Sequence, residues 1–559
     1  MTETRQPDNS PFIIGLIGHR DLDSGRIPQL LAAVGSFLLE IRQHLAATEV
    51  RLMLDARDEL GLTIARSALA LDIAVDALIA IVPVDAGANS NLPDDPRVHG
   101  IEAQAAESAD ILIRCSSLLL ALWDGKSSTA PDDTADQVFR FLGVRGEHSA
   151  TRMRIELSTM AHDQDLVQRP VYWVPARRSG DDAVDSAAQP CYLLSAADNV
   201  LDVALSMPAS LRRRLADLNE YNFEFERLTA DRRLARSDSL MPDRSAMPTA
   251  SDAAALENVD RQFVKADALA GYMQRRSDRL FNVFGLAALT MGLAYLIYDK
   301  ITESKLLLVF YTFILFVSLV GYYFFQTKRW FGKYLSYRAL AETLRVRFYL
   351  AMAGVDRQMQ TRALIELTGI YRFAGFGWIS FVLDSIEPTT PAWQQSKEIY
   401  QARARLVDRA WIEDQHRYFV RKVANMERHR SWIGRLKSGV FIAALLVLSA
   451  MFMFGAALHN IDARTGLPLK NVLTFCSGTL AVVLAVWELR QNKMAVQELL
   501  WQYRNQLRQF QRARIQLQRI ASRARRDAIL KELGENSLME IYLWAIHRYH
   551  REHAPPAAP

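Results

Sequence analysis

The chain has 559 residues, enough for several domains at about 150 residues each. Its net charge of +5 at pH 7 is ordinary for this length, and its mean hydropathy of -0.03 does not by itself indicate a membrane protein. The three cysteines, Cys115, Cys191 and Cys476, have no paired spacing. This excludes a disulfide scaffold and the usual zinc sites, and it fits a reducing compartment.

The first part of the chain, residues 1–228, begins with a polar stretch that we predict to be disordered, 1–11. This stretch has no basic start, apolar core or cleavage site, so we expect no signal peptide and a cytoplasmic first domain. Short apolar runs then alternate with helical patterns. Strands are predicted at Phe12–Leu16, Val50–Leu54, Ala77–Val82, Leu118–Leu122 and, as the last strand, Val171–Val174. Helices are predicted at Pro28–Leu45, Thr63–Ile73, Asp133–Phe141 and Leu211–Leu228, and a loop at Arg178–Gln189.

This order predicts an α/β Rossmann-like domain with a doubly wound parallel sheet and a C-terminal extension, residues 12–228. The rest is predicted to be an all-α membrane module with four transmembrane helices and long cytoplasmic helices. Its parts are a linker (229–252), a first transmembrane hairpin with flanking helices (253–338, spans 280–298 and 306–325), a cytoplasmic helical segment (339–438), a second hairpin (439–487, spans 439–458 and 472–487), C-terminal cytoplasmic helices (488–552) and a disordered tail (553–559).

The four spans contain no Asp, Glu, Lys, Arg or His. Apolar runs of roughly 17–25 residues are best explained as membrane helices, and the lipid bilayer is therefore the first expected partner. Lys and Arg cluster at their outer ends rather than in the short connecting loops, which predicts that both termini are cytoplasmic. Because these cations follow helix ends and not one continuous face, no nucleic-acid partner is expected.

The lack of intramembrane charge argues against a proton-coupled transporter. A pore would need several protomers, lined by mild polar groups such as Thr290 and Ser318, although helix packing is the commoner role of such residues. A heptad-like series in the predicted helix 488–526 leaves two interpretations open, self-association in a homo-oligomer and packing within the same chain. Its members are Leu500, Tyr503, Leu507, Phe510 and Leu517, with Arg514 interrupting.

A candidate ligand site is formed by two turns that follow predicted inner strands. In open α/β sheets such turns receive ligands, because glycine lets the backbone approach and a helix N-terminus attracts anions. The first turn holds Gly18, His19, Arg20 and Asp21; the second holds Asp124, Gly125 and Lys126, with Thr134 beyond it. Arg20 is suited either to a phosphate contact or to a structural salt bridge. No metal site is expected.

Four motifs in order, G-H-R-D-L, A-L-W-D-G-K, T-A-D and P-V-Y-W-V, make residues 12–175 resemble the SLOG family of Rossmann-like domains, which are related to the LOG phosphoribohydrolases and the DprA proteins. The resemblance implies binding of a nucleotide-derived ligand. Two departures weaken the family pattern, Asp58-Glu59-Leu60-Gly61 and Pro131-Asp132-Asp133. Carboxylates oppose an anionic ligand, and the hydrolase glutamate motif has no counterpart in the segment 131–138, so no enzyme activity is expected.

The membrane half resembles SLATT-type modules, through the segments 265–270 and 337–345 and the C-terminal residues Leu533-Gly534-Glu535. That resemblance implies a predicted pore-forming or membrane-perturbing effector of bacterial defence systems in the inner membrane. Glu342, between Arg338 and Arg345 at helical spacing, indicates an ion pair rather than a catalytic group. Two functions follow as hypotheses: a ligand-sensing membrane effector, and a membrane-anchored scaffold whose degenerate nucleotide-binding domain binds a partner protein.

Overall fold

The computed structural model of the chain describes most of the sequence. The described residues are 9–70, 75–83, 95–104, 107–126, 133–143, 169–179, 189–195, 201–235, 237–242, 250–355, 365, 368–370, 373, 375–386, 396–454, 468–493, 496–520 and 522–552. The predictions that lie wholly or mostly outside them are the disordered ends, the loop 178–189 and the connecting loop of the second hairpin, 459–470.

The chain divides into two compact units. The sheet unit comprises Met1–Lys265 and Asp356–Gln394, and the helical unit comprises Ala266–Val355 and Gln395–Pro559. Residues 356–394, which follow the second span in sequence, therefore belong with the N-terminal domain and not with the other helices.

Among its described residues, the sheet unit contains one eight-stranded sheet. Its strands are β1 (Phe12–Gly18), β2 (Val50–Asp55), β3 (Ala77–Pro83), β4 (Val98–Ala103), β5 (Leu118–Trp123), β6 (Val171–Pro175), β7 (Cys191–Ser195) and β8 (Leu201–Ala204). They lie in the order β4-β3-β2-β1-β5-β6-β7-β8. The first six are parallel, whereas β7 and β8 are antiparallel.

The prediction of a wholly parallel sheet that ends at Val174 was therefore wrong, because the sheet is mixed and continues for two strands. The fourth strand was missed as well, since β4 is a half-exposed edge strand without an apolar run. By contrast, β5 is buried along its whole length, as expected of a central strand covered on both faces.

Helices cover the sheet and extend the unit. They are α1 (Ile27–His44), α2 (Glu59–Ala70), α3 (Ser108–Cys115), α4 (Thr134–Leu142), α5 (Ala209–Ala230) and the first part of α6 (Ala250–Lys300). A short helix from the 356–394 segment, α9 (Ile379–Asp384), packs on the same unit. The ring of its Phe381 meets that of Phe12 edge-on at 5.1 Å, and Arg214 donates to the carbonyl of Gly377 at 2.9 Å.

The strand order places a topological switch point between β1 and β5. From β1 the chain moves to β2 and outward to β4, then returns to β5 on the other side of β1. In open α/β sheets, the crevice outside the carboxyl ends of two such strands is where ligands bind. The turns that follow Gly18 and Trp123 both lie at this edge.

The helical unit contains the rest of α6 and eight further helices among the described residues. The further helices that lie in this unit are α7 (Lys305–Gln326), α8 (Trp330–Ala353), α10 (Lys397–Val407), a π-helix (Asp408–Glu413), α11 (Asp414–Met453), α12 (Leu469–Lys493), α13 (Val496–Arg519) and α14 (Arg523–Glu552). Helix α8 is the most buried, and α14 packs along it. The hydroxyls of Thr343 and Tyr542 lie 3.0 Å apart, and a Cβ at Gly534 would lie 2.8 Å from Leu350 Cδ1, so the two helices approach closely there.

Among the described residues, four helices are long and apolar enough to cross a membrane. They comprise Leu256–Lys300, Lys305–Phe324, Lys397–Met453 and Leu469–Leu489, and almost no residue in the most apolar window of each is buried within the chain. An exposed apolar surface of this extent suits a lipid environment. Within it, glycines allow two spans to touch: a Cβ at Gly292 of α6 would lie 2.6 Å from Val482 Cγ1 of α12.

The C-terminal helix predicted over 488–526 is not continuous, because α13 ends at Arg519 and α14 begins at Arg523. Its heptad-like stripe packs within the chain. Phe510 meets Trp411 edge-on at 5.9 Å and lies 5.7 Å from Phe419, while the interrupting Arg514 is exposed. Intrachain packing thus accounts for the apolar pattern.

Glu342 has the ion-pairing role expected from its spacing. Its carboxylate lies 2.8 Å from Arg345 Nη1 and also pairs with Arg338, which reaches Asp267 of α6 at 2.7 Å. Burial opposes the charge on Arg338, but the carboxylates of Glu342 and Asp267 outweigh it and raise the pKa of this guanidinium. All three cysteines are free thiols, of which Cys115 and Cys191 are buried.

Candidate functional site

The first turn of the site begins where β1 ends. The backbone N–H of His19 donates to the carbonyl of Leu122 at 3.2 Å, so the end of β1 stays bonded to β5. A Cβ at Gly18 would lie 3.2 Å from Leu122 Cβ, and glycine allows this close approach. As a result the imidazole of His19 is buried, with 3% of the residue exposed, at the carboxyl edge of the sheet.

The second turn follows β5 and is held by two indoles. Asp124 Oδ1 accepts from the backbone N–H of Lys126 at 3.0 Å, while Trp123 Nε1 donates to the Lys126 carbonyl at 2.9 Å. Gly125 has φ +79°, and a Cβ there would lie 3.0 Å from Trp173 Cζ2. Both the left-handed backbone and the closeness of Trp173 therefore require glycine at this position.

His19 joins the two turns. Its Nε2 lies 3.1 Å from Asp124 Oδ1, and its Nδ1 lies 2.7 Å from Arg178 Nη2. A guanidinium only donates, so Nδ1 must accept and the ring proton resides on Nε2, which donates to Asp124. The hydrogen bonds thus select the neutral Nε2–H tautomer of His19.

Arg178 lies among three carboxylates. Its Nε is 3.5 Å from Asp124 Oδ2 and 3.8 Å from Asp21 Oδ1, and its Nη2 is 3.5 Å from Asp133 Oδ2. Backbone pairing with the first turn holds it there, since Leu22 and Arg178 form an isolated bridge and the Ser179 N–H donates to the Asp21 carbonyl at 2.7 Å. Three carboxylates thus surround one guanidinium, so negative charge is in excess in this cluster.

Asp133 occupies the N-terminus of α4. Its carboxylate accepts from the backbone N–H of Thr134 at 2.8 Å and serves as the N-cap. Helix N-termini attract anions, but here the chain supplies its own anion. A phosphate therefore does not reach the α4 N-terminus unless Asp133 moves.

Arg20 lies apart from this cluster. The residue is exposed, and its positive charge acts on Asp58 in the turn after β2. Burial raises the pKa of Asp58 above its ordinary value, although the hydrogen bond from the Gly61 N–H and the charge of Arg20 both oppose the rise. Arg20 is thus a solvent-facing cation at the edge of the site.

The structure brings together His19, Asp21 and Asp124 as a side-chain cluster, and Gly18, Gly125, Lys126 and Thr134 contribute through the backbone contacts given above. Arg178 was missed as a site residue, and Asp133 had been considered only for its opposition to an anion. A signal for Arg178 did exist, because it follows the carboxyl end of β6, which pairs with β5. The rule that ligands bind beyond the carboxyl ends of parallel strands selected Asp124, and it also selects Arg178.

Within the described ranges no group of three or more His, Cys, Asp or Glu side chains is arranged to hold a metal ion. At the candidate site both ring nitrogens of His19 already have partners. Its carboxylates and imidazole are instead suited to hydroxyl and amino groups of an organic ligand, because an ionised carboxylate only accepts hydrogen bonds.

Comparisons with known protein families, with curated proteins and with solved structures found no match for this chain. In the part of the chain that the structure describes, the fold combines a Rossmann-like sheet unit with four apolar helices long enough to span a membrane. The resemblances to SLOG and SLATT domains stay predictions.

Proposed function

We propose that this protein is a membrane sensor–effector. The sheet unit, facing the cytoplasm of a bacterial cell, binds a nucleotide-derived ligand at the switch point. Binding then biases the four membrane spans toward a permeable state, formed by a homo-oligomer in the inner membrane. The His19–Asp124–Arg178 cluster at the switch point is the observation that carries this proposal.

The nature of the cluster supports ligand binding rather than a purely structural role. Buried ion-pair networks contribute little net stability, because desolvation offsets their attraction. Here Arg178 is about one-third exposed and Asp21 more than half exposed, so incoming groups can reach them from solvent. A ribose-like diol would donate to Asp124 and Asp133, and a phosphate would be drawn to Arg20 at the solvent side.

A continuous helix supports transmission. Helix α6 runs without a break from Ala250 to Lys300, and its first part belongs to the sheet unit. There Asp260 Oδ1 accepts from the backbone N–H of Leu240 at 2.6 Å, and the buried Lys265 donates to Asn222 Oδ1 at 2.5 Å. A rearrangement of the sheet unit therefore acts on a helix that continues into the first span. A ligand drives such a change only if it prefers one of the two states.

The test is a thermal-shift screen of the full chain in detergent against ADP-ribose, cyclic nucleotides and NAD. A ligand at a hundredfold its Kd stabilises by about 2.7 kcal/mol, which raises the unfolding midpoint measurably. We expect the shift to be lost in Asp124→Asn and weakened in Arg20→Ala. The control Asp202→Asn, on the edge strand β8, should keep it.

The scaffold remains the second candidate, and one observation favours it. Asp133 caps the α4 N-terminus and Arg178 neutralises part of the carboxylate cluster, so two features that an anionic ligand would use are already engaged by the chain itself. No shift with any compound in the screen, together with a stable partner protein captured by the sheet unit, would support this alternative. Release of a free nucleobase from any compound would instead indicate hydrolysis, which we do not expect.

A further inference from the structure

A second cluster lies in the helical unit, at the C-terminal end of α14. The guanidinium carbon of Arg548 lies 5.3 Å from the ring centre of Phe331, 5.5 Å from that of Trp544 and 5.9 Å from that of Tyr334. Trp544 also meets Tyr334 edge-on at 6.2 Å. Three aromatic rings thus surround the half-buried guanidinium of Arg548. These contacts restrict the motion of the Arg548 side chain.

Two N–H donors are buried in this cluster. Arg548 Nε and Trp544 Nε1 are both buried, and neither finds a hydrogen-bond partner within the described part of the chain. Buried N–H groups in native proteins are nearly always satisfied, so each orphan requires an explanation. Both would be satisfied by one oxygen-rich group, because each can only donate.

The charge around the cluster is predominantly positive. Arg276 of α6 lies 5.0 Å from the ring of Trp330, the first residue of α8, and the exposed Lys328 and Arg329 directly precede that helix. The acidic groups that act on Tyr334 are Asp278 and Glu342, and Glu342 is already paired with two arginines.

The position of the cluster relates it to the membrane. The second span ends at Phe324, and Phe331 lies in the first turn of the next helix. Arg and Lys side chains close to the end of a membrane span attract anionic headgroups. Aromatic side chains are also enriched at the level of the headgroups.

We propose that Arg548 and Trp544 bind the phosphate of an anionic lipid headgroup at the end of the second span. The phosphate oxygens accept hydrogen bonds from Arg548 Nε and Trp544 Nε1, while Arg276 and Lys328 add electrostatic attraction. Binding fastens the C-terminal end of α14, and with it α8, to the bilayer surface.

The experiment measures the unfolding midpoint of the full chain in neutral detergent, with added phosphatidylglycerol, phosphatidylcholine or inorganic phosphate. We expect phosphatidylglycerol to raise the midpoint and phosphatidylcholine, whose headgroup is neutral overall, to have little effect. A rise with inorganic phosphate that equals the phosphatidylglycerol rise would identify the free anion as the ligand and overturn the lipid assignment.

Three variants locate the site. Arg548→Gln should reduce the phosphatidylglycerol shift at least severalfold. Trp544→Phe, which keeps the ring and removes only the N–H donor, should reduce it in part. Arg525→Gln, an exposed arginine near the other end of the same helix, is the matched control and should keep the full shift. If Arg548→Gln lowers the unfolding midpoint even without added lipid, the phosphatidylglycerol shift of Trp544→Phe still tests the proposal. Equal shifts in Trp544→Phe, Arg525→Gln and wild type would overturn the proposal.

Discussion

His19 Nε2 donates to Asp124 Oδ1 across 3.1 Å and thereby joins the turns after β1 and β5, two strands that are far apart in sequence. The other ring nitrogen accepts from Arg178, in the turn after β6. One imidazole therefore links the carboxyl ends of three strands. A group that engages Asp124 or Arg178 must also change what His19 contacts.

Replacement of His19 by Ala should loosen this edge of the sheet. The substitution removes the donor to Asp124 and leaves buried polar atoms unsatisfied, at about 1–3 kcal/mol. Hydrogen exchange followed by mass spectrometry should show a matching fall in the opening free energy of peptides from β1 and β5. In the control His99→Ala, at an exposed position of β4, the change should stay within about 0.5 kcal/mol. Equal effects of both variants would contradict the linking role.

Substitution by Ala should be more destabilising at Gly125 than at Gly143. Both glycines have positive φ, at +79° and +71°, so each substitution carries about 1–2 kcal/mol of backbone strain. Only at Gly125 would the new Cβ also press on Trp173, at 3.0 Å, whereas nothing lies within 4 Å at Gly143. Gly125→Ala should therefore cost more by about 1 kcal/mol, measured by hydrogen exchange in β5 and β6. A cost no larger than that of Gly143→Ala would show that Trp173 does not constrain this turn.

A second pair of glycines tests the packing of α8 against α14. Gly534→Ala would place a Cβ 2.8 Å from Leu350 Cδ1 and 3.2 Å from Val346 Cγ1, in a buried interface. Overpacking of this kind costs about 1–3 kcal/mol. Gly434→Ala in α11 meets nothing within 4 Å and should stabilise by up to about 1 kcal/mol through helix propensity. Unfolding midpoints in detergent should move in opposite directions, and a stabilised Gly534→Ala would contradict the close approach.

The ionisation of Asp58 should make the stability of the protein depend on pH. Burial raises its pKa above 3.8, so its contribution to stability is fully present below 3.8 and is lost as pH rises through the folded-state value. Asp58→Asn cannot ionise, and it keeps an acceptor for the Gly61 N–H at 2.9 Å. The variant should therefore be the more stable at neutral pH, by about 1.4 kcal/mol per unit of raised pKa, and the gain should vanish below pH 3.8. A variant less stable than wild type at neutral pH would show that the carboxylate is needed.

Apolar runs predicted the inner strands and the spans, because an element that is covered on both faces or that faces lipid carries apolar side chains along its whole length. The strands β4, β7 and β8 were missed. The strands β4 and β8 lie at the two edges of the sheet and are formed by pairing with a neighbour rather than by their own pattern, whereas β7 lies between β6 and β8 and has only a short apolar run. In the sequence, the heptad-like series is equally compatible with self-association and with packing within the same chain. Trp411 and Phe419 beside Phe510 show packing within the chain, and self-association stays a prediction.

Part of the candidate site was predictable in the same way. His19 and Asp124 each follow a strand of the switch point, so their meeting follows from topology alone. The orientation of Arg178 depends on the bridge between Leu22 and Arg178, a tertiary contact that no local pattern contains. The closure of the α4 N-terminus by Asp133 likewise became clear only from its cap geometry.

Ligand-gated flux tests the sensor–effector proposal most directly. Liposomes that contain the full chain and an entrapped dye would receive whichever nucleotide raises the unfolding midpoint in the thermal screen. We expect dye release with wild type and with Asp202→Asn, and none with Asp124→Asn inserted at the same density. A nucleotide that binds wild type but releases no dye would contradict control of the membrane by the sheet unit.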